Sequence, residues 1–231
     1  MKLLAFETAT EACSVALWID GEVRERFELA PRRHAELSLP WAEALLAEAG
    51  VARRQLDVIA VGRGPGAFTG VRLAIALAQG IALALDRPVV AVSTLAALAQ
   101  PGTAPRVLAA IDARMGEVYA GAFERVDGAL RPLGAETVAA PDAVALPDGV
   151  DWTGVGTGFG AVDGALATRL RDRLASIDAA ALPHAADVAR LAVQAHARGE
   201  SVSADRLEPA YLRNHVALTL AEQQALRASK R

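Results

Sequence analysis

Two acids and one glycine-rich loop are the residues whose types and spacing could do chemistry. Glu7 ends an apolar run, Lys2 to Phe6, and Asp112 ends another, Arg106 to Ile111. One acid per half, each at a strand end, can face a cleft and position a metal-bound nucleotide phosphate. The competing reading is a pair of turn-forming acids. Ala113-Arg114 after Asp112 favours that reading, because a phosphate lying close to the backbone favours glycine there. Gly154-x-Gly156-x-Gly158 either approaches an adenosine or turns a strand into a helix. The loop Gly62-Arg-Gly-Pro-Gly-Ala-Phe-Thr-Gly70 lies between a strand and a helix, where free N–H groups can hold an anion. It is not a Walker A loop, since no Lys follows its last glycine. Gly62-x-Gly64-x-x-Ala67 matches the dinucleotide fingerprint only loosely: the next strand, Pro88 to Val92, runs into Ser93 instead of an acid. Tight packing of strand on helix competes with an anion or partner contact.

Other chemistry finds little support. The histidines are His34, His184, His196 and His215, and none sits at i, i+4 from another, so no helix face offers two metal ligands. His34 reads as a helix-start or interface residue. Ser14, Ser38 and Ser93 lack a nucleophile-elbow context. Cys13, the one cysteine, has no local base and can form neither an intramolecular disulfide nor a Cys-based metal site.

Positioning these residues requires an α/β chain. Strands are predicted at Lys2 to Phe6, Ser14 to Ile19 and Glu22 to Leu29, the last two joined by an Asp20-Gly21 hairpin turn. A helix over Arg33 to Ala49 carries Leu37, Leu39, Trp41, Leu45 and Leu46 over a wide arc, with Pro40 expected to kink or break it. A strand at Leu56 to Gly62, a helix at Val71 to Leu85 and a strand at Pro88 to Val92 follow. The stretch Gln100 to Pro105 reads as a boundary, dividing lobes 1–102 and 103–231. The order then restarts: strands at Arg106 to Ile111, Glu117 to Val126 and Ala129 to Leu133 around an Asp127-Gly128 turn, a strand at Val150 to Gly154, and helices at Phe159 to Leu174 and Ala185 to Ala197. A shared order of strand, acid and hairpin indicates duplication of supersecondary units. The tail from His215 to Arg231 reads as a short helix or a frayed end.

The second helix is unusual. Between Val71 and Leu85 the polar side chains are Arg72 and Gln79, seven apart on one narrow stripe. A helix apolar nearly all round must be covered on nearly every side. With the arc of the Trp41 helix, this predicts a helical pair partly buried in a protein interface. The expected contact residues are Leu37, Trp41, Leu45, Phe68, Arg72, Leu73, Ala76, Leu77 and Gly80.

The 231 residues carry a formal net charge of -3, so no basic surplus exists to bind nucleic acid by counterion release. Hydrophobic residues make up 53% and aromatics 4%, so the core must be built mainly from Ala, Val, Leu and Ile. The apolar run Leu73 to Leu85 is too short to span a bilayer, and no secretory leader is visible. A cytoplasmic protein without membrane contact is expected.

Several landmarks together resemble the TsaB (YeaZ) family over nearly the whole chain. Gly64-Pro-Gly-Ala-Phe-Thr-Gly-Val-Arg72 is similar to its signature, with Ala67 where Ser is usual. Leu4-Ala-Phe-Glu-Thr-Ala-Thr10 and Cys13-Ser-Val-Ala-Leu17 resemble its opening strands, with Glu7 replacing a usual Asp. Asp112-Ala-Arg114, Glu117-Val-Tyr119 and Pro209-Ala-Tyr-Leu-Arg213 resemble later landmarks. The resemblance implies an actin-like (ASKHA, ribonuclease H-like) duplicated fold with a reduced second lobe. It also implies a role in making threonylcarbamoyladenosine beside the tRNA anticodon, as partner of the catalytic homologue TsaD and, through it, of the ATPase TsaE. The family's heterodimer and homodimer use first-lobe helices. TsaD holds a metal through a His-x-x-x-His pair, and Thr94 and Leu98 stand at those positions here. The expectation is a non-catalytic scaffold that needs no cofactor, with ATP or ADP conceivable at a shared interface through Glu7, Asp112, Gly154 and Gly156, and with tRNA met only through the complex. The alternatives are a small ATP-dependent phosphotransferase using Glu7 and Asp112 and, last, a metallopeptidase.

Overall fold

The computed structural model describes residues 1–213; the tail read above as helix or frayed end lies outside the described residues. The first half supplies β1 (Lys2–Glu7), β2 (Ala12–Ile19), β3 (Glu22–Leu29), α1 (His34–Glu48), β4 (Val58–Gly62), α2 (Phe68–Leu85), β5 (Val89–Val92) and a short α3 (Thr94–Ala99). The second supplies β6 (Arg106–Arg114), β7 (Glu117–Val126), β8 (Ala129–Pro132), β9 (Thr137–Ala139), β10 (Trp152–Val155), α4 (Ala165–Leu170), β11 (Leu174–Asp178) and α5 (Ala185–Ala197).

The duplication is explicit in the two sheets. The first has strand order β3-β2-β1-β4-β5 and the second β8-β7-β6-β10-β11, with β9 paired to β7. In both, the leading strand pairs antiparallel with the hairpin strand on one side and parallel with a later strand on the other. This is the actin-like, ribonuclease H-like α/β fold, present twice. Both hairpin turns have the expected positive φ, Asp20 at 47° with Gly21 at 108°, and Asp127 at 51° with Gly128 at 78°.

Side-chain alternation sets the layers. Leu4 and Phe6 of β1 face α1 and α2, with Val15, Leu17, Ile59 and Val61. Leu3 and Ala5 face the other way, onto Ala185, Val188, Ala189 and Ala192 of α5. Helix α5, read from sequence as part of the second lobe, therefore covers the first sheet. Conversely, Leu95, Leu98 and Ala99 of α3 pack on Val107, Ile111 and Phe123 of the second sheet. Each half lends the other a helix, which the order of elements alone cannot reveal.

Three further readings need correction. Helix α1 runs through Pro40 unbroken. Pro40 and Glu36 are both exposed, so the carbonyl freed by the missing N–H faces water. The helix read over 159–174 is instead two 3-10 turns, the six-residue α4 and an edge strand, β11. Left-handed residues Val162, Asp163 and Gly164 interrupt any continuous helix there. Helix α3 was not foreseen as an element.

Helix α2 is 18 residues long and, by length and composition, apolar enough to cross a membrane. Here its inner face, Val71, Ala74, Ile75, Ala78 and Ala82, seals the first sheet. Gln79 donates to the carbonyls of Ala204 and Leu207, at 3.0 and 3.3 Å, so the polar stripe is met by the chain's own C-terminal segment.

Two glycines bracket the packing of this helix. A Cβ at Gly70 would lie 1.9 Å from the Thr8 carbonyl oxygen, while one at Gly80 would meet nothing within 4 Å. Gly70→Ala is expected to lower stability by about 3 kcal/mol through forced backbone displacement. Gly80→Ala should raise it by about 0.5–1 kcal/mol through helix propensity. Thermal unfolding of the two variants checks the contrast.

Candidate functional site

A cavity of about 890 Å³ opens between the two halves of the chain. Its first-lobe wall is the loop and start of α2, Gly66, Ala67, Phe68 and Arg72, with Thr10 and His34. Its second-lobe wall is the β6–β7 hairpin, including Asp112 and Arg114, with Thr157 and Gly160. Residues 210–213 cross one side of it.

The loop before α2 is built by collapse onto the end of β1. Ala67 N–H donates to the Ala9 carbonyl at 2.7 Å, and Thr94 N–H donates to the Gly64 carbonyl at 2.9 Å. Thr8 Oγ1 donates to the Gly70 carbonyl at 2.7 Å. A Cβ at Gly66 would stand 2.4 Å from the Ala9 oxygen. These contacts pack the loop onto the end of β1.

The four nucleotide-cleft candidates do not converge. Glu7 is 1% exposed and absent from the cleft wall. Its Oε1 accepts from Ala9 N–H at 2.7 Å and its Oε2 from the Thr94 hydroxyl at 2.9 Å. Gly62 closes over it; a Cβ there would sit 1.9 Å from Oε2. Asp112 does line the cleft, but its carboxylate is spent on its own turn. Oδ1 accepts from Arg114 N–H at 2.7 Å, and Oδ2 accepts from the Arg114 guanidinium at 2.9 Å. Arg114, Met115 and Gly116 all have positive φ, which leaves the turn dependent on that carboxylate. Gly154 makes room for the Phe159 ring, not for an adenosine: a Cβ there would stand 2.6 Å from the ring. Gly156, with φ 105°, packs over the Ala110 carbonyl and Leu98. Thr94 and Leu98, compared above with the metal-holding pair of TsaD, are a hydroxyl donor to Glu7 and a core side chain.

A Ser, a Glu and a His do meet elsewhere, through α5. Ser14 Oγ donates to Glu25 Oε1 at 2.7 Å, and His184 Nδ1 lies 3.0 Å from Glu25 Oε2. Both therefore address the carboxylate, and Ser14 makes no bond to the imidazole. The group instead caps α5: Ala185 N–H donates to Ser14 Oγ at 2.8 Å and Ala186 N–H to Glu25 Oε1 at 3.0 Å. Burial opposes the Glu25 charge most strongly, but the bonds from His184, Ser14 and Ala186 outweigh it and hold the pKa below the usual carboxylate value. The same Glu25 bond raises the pKa of His184, whose ring stacks on Phe27 at 4.1 Å.

The expected interface residues separate into two groups. Leu37 and Leu45 are buried within their own lobe, Leu37 against Cys13 and Ala30, Leu45 in the α1–α2 core. They cannot meet a partner, because the wide arc of α1 is needed by its own sheet. Trp41 is half-buried between those clusters. Phe68, Arg72, Ala76 and Gly80 are exposed, and Leu73 and Leu77 half-buried, along the outer face of α2. Leu83, 67% exposed, extends this face, and Leu39 of α1 is 44% exposed; neither was among the expected residues. Arg72 stacks over the Phe68 ring at 3.4 Å. Tyr211 and Arg213 at the cleft were also missed as site residues, although Pro209-Ala-Tyr-Leu-Arg213 was legible as a landmark.

A duplicated actin-like fold with a cleft between its halves defines the class. A family model for tRNA N6-adenosine threonylcarbamoyltransferase, TsaD, matches residues 28–220. The tRNA threonylcarbamoyladenosine biosynthesis protein TsaB of Escherichia coli (strain K12) is 43% identical over 230 residues, covering 94% of this chain and 96% of that protein. The protein of the same description from Haemophilus influenzae is 38% identical, covering 94% and 95%. A solved structure described as YeaZ from Pseudomonas aeruginosa is 52% identical, with a TM-score of 0.85, covering 91% of this chain and 99% of that one. The chain belongs to the TsaB family.

Burial raises the Glu7 pKa to about 7, against the lowering effect of its bonds from Ala9 and Thr94. The unfolded chain releases this proton near 4.5, so between 4.5 and about 7 the folded state binds more protons and loses stability as pH rises. The loss amounts to roughly 3 kcal/mol. Glu7→Gln can keep both partners, accepting from Ala9 and donating to Thr94. Between pH about 5 and about 8 the denaturant midpoint of the natural chain should fall through this group, and the variant should lose that component.

Proposed function

We propose that this chain is a non-catalytic partner subunit in the formation of threonylcarbamoyladenosine beside the tRNA anticodon. A role in tRNA threonylcarbamoyladenosine biosynthesis follows from membership of the TsaB family. The finer reading is that it docks a TsaD homologue through the outer face of α2 with the exposed part of α1, and that TsaE joins through TsaD. The free chain would form a homodimer through the same face. tRNA is met through the complex, in the cytoplasm.

The observation that carries this reading is the outer stripe of α2. Ala76, Gly80 and Leu83 recur at helical spacing on the exposed side, flanked by Leu73 and Leu77. Small residues let a second backbone approach closely, and the stripe carries no charge beyond Arg72 at its start. The division into lobes 1–102 and 103–231 belongs to the same proposal, with α5 serving the first sheet. The burial of Glu7 and the occupied carboxylate of Asp112 support a scaffold over a phosphotransferase.

Ala76→Asp and Gly80→Glu both place a carboxylate on the exposed stripe, where the isolated chain has room for it. Each should leave the chain folded, with Gly80→Glu gaining and Ala76→Asp losing no more than about 1 kcal/mol through helix propensity. Each should abolish co-elution with the TsaD homologue, since an unpaired charge buried at an interface costs several kcal/mol. Retained co-elution in both variants would reject α2 as the docking face. Magnesium-dependent ATP turnover by the purified chain, lost in Asp112→Asn, would favour the phosphotransferase instead.

A further inference from the structure

The C-terminal described segment returns to the first lobe and then leaves it. Val202 and Val89 exchange backbone hydrogen bonds at 2.8 and 2.9 Å, and Ala204 and Leu207 pack into the core under α2. Ala210 N–H donates to the Arg63 carbonyl at 2.9 Å. Arg72 Nε donates to the Tyr211 hydroxyl at 2.8 Å, and its guanidinium lies 5.5 Å from the Tyr211 ring centre. Two residues later the contacts change lobes. Arg213 donates to the Ala113 carbonyl at 3.1 Å and to Glu117 Oε2 at 2.5 Å, both on the β6–β7 hairpin. The Arg213 side chain is 17% exposed, so this pair is partly withdrawn from solvent.

We propose that residues 209–213 form a latch between the lobes, coupling the docking face of α2 to the β6–β7 hairpin on the opposite lip of the cleft. Arg72 is the hinge of this arrangement. It belongs to the exposed face of α2, stacks on Phe68, and holds Tyr211. A partner that covers Phe68 and Arg72 reduces the freedom of the guanidinium and so of Tyr211. Arg213, two residues on, transmits the restraint to Ala113 and Glu117. The hairpin needs such a restraint, because three successive left-handed residues, Arg114 to Gly116, are otherwise held mainly by Asp112. Coupling of this kind requires a contiguous chain of contacts between two surfaces, and each link is present here. The coupling half rests on the docking reading above; the latch itself does not.

Hydrogen–deuterium exchange on the full chain tests both halves. In the isolated chain, Arg213→Ala should speed exchange of the amides of residues 112–118 at least tenfold and leave those of β1 unchanged. Arg213→Lys, which keeps a cation facing Glu117, should restore part of the protection. Tyr211→Phe should speed exchange of the Ala210 amide. Unchanged hairpin exchange in Arg213→Ala would overturn the latch. Addition of the TsaD homologue should slow exchange over residues 112–118 in the natural chain and not in Arg213→Ala. Protection confined to α2, with the hairpin unaffected, would overturn the coupling while leaving docking intact. Failure of the natural chain to bind would remove docking and coupling together, and the isolated-chain result would still decide the latch.

Discussion

The contact between the Gly64–Gly70 backbone and the end of β1 is the constraint on which the rest of this structure depends. The Thr8 and Ala9 carbonyls come so close to Gly70 and Gly66 that no side chain fits between them. The contact fixes where α2 begins and how it rolls on the sheet. It thereby decides which residues of α2 go inward and which stay outside. Glu7, just before this contact, is closed in by Gly62 and Thr94. A loop whose composition suggests ligand binding is thus committed to packing, and its consequence for function is indirect: it presents a helix face.

The exchange of helices between halves follows from the size of the chain. Each sheet has two apolar faces, and a half of this length cannot cover both with its own helices. Among the described residues, the second half has α4, of six residues, on its outer side. The inner faces are covered by α5 on the first sheet and α3 on the second, and these two helices meet between the lobes. The Ser14–Glu25–His184 group anchors α5 at its start, where the Ala185 and Ala186 N–H groups would otherwise go unpaired. A polar cluster whose composition suggests catalysis serves instead to hold a helix in place.

The two strand-end acids illustrate how one sequence position type takes different roles. Glu7 folds back onto Ala9 N–H and the Thr94 hydroxyl instead of projecting into the cleft. Asp112 reaches the cleft wall but serves its own turn. The cleft is therefore lined mainly by the α2 loop, the hairpin and the returning segment that ties them.

Most of the strands, the two hairpins, the duplicated order and the apolar excess of α2 were legible in the sequence, because these are local: alternation, Asp-Gly turns and helical spacing act over a few residues; β9 and β11, short strands at the margins of the second sheet, were not. The sequence also carried the family likeness. Only the tertiary structure decided which face of α1 is spent on the core, sending Leu37 and Leu45 inward and leaving Leu39 outside. It decided that α5 serves the first sheet, that Glu7 is sealed, and that Arg213 reaches Ala113 across the cleft. Each of these depends on contacts between residues far apart in the chain, and periodicity along the chain contains no record of what lies opposite.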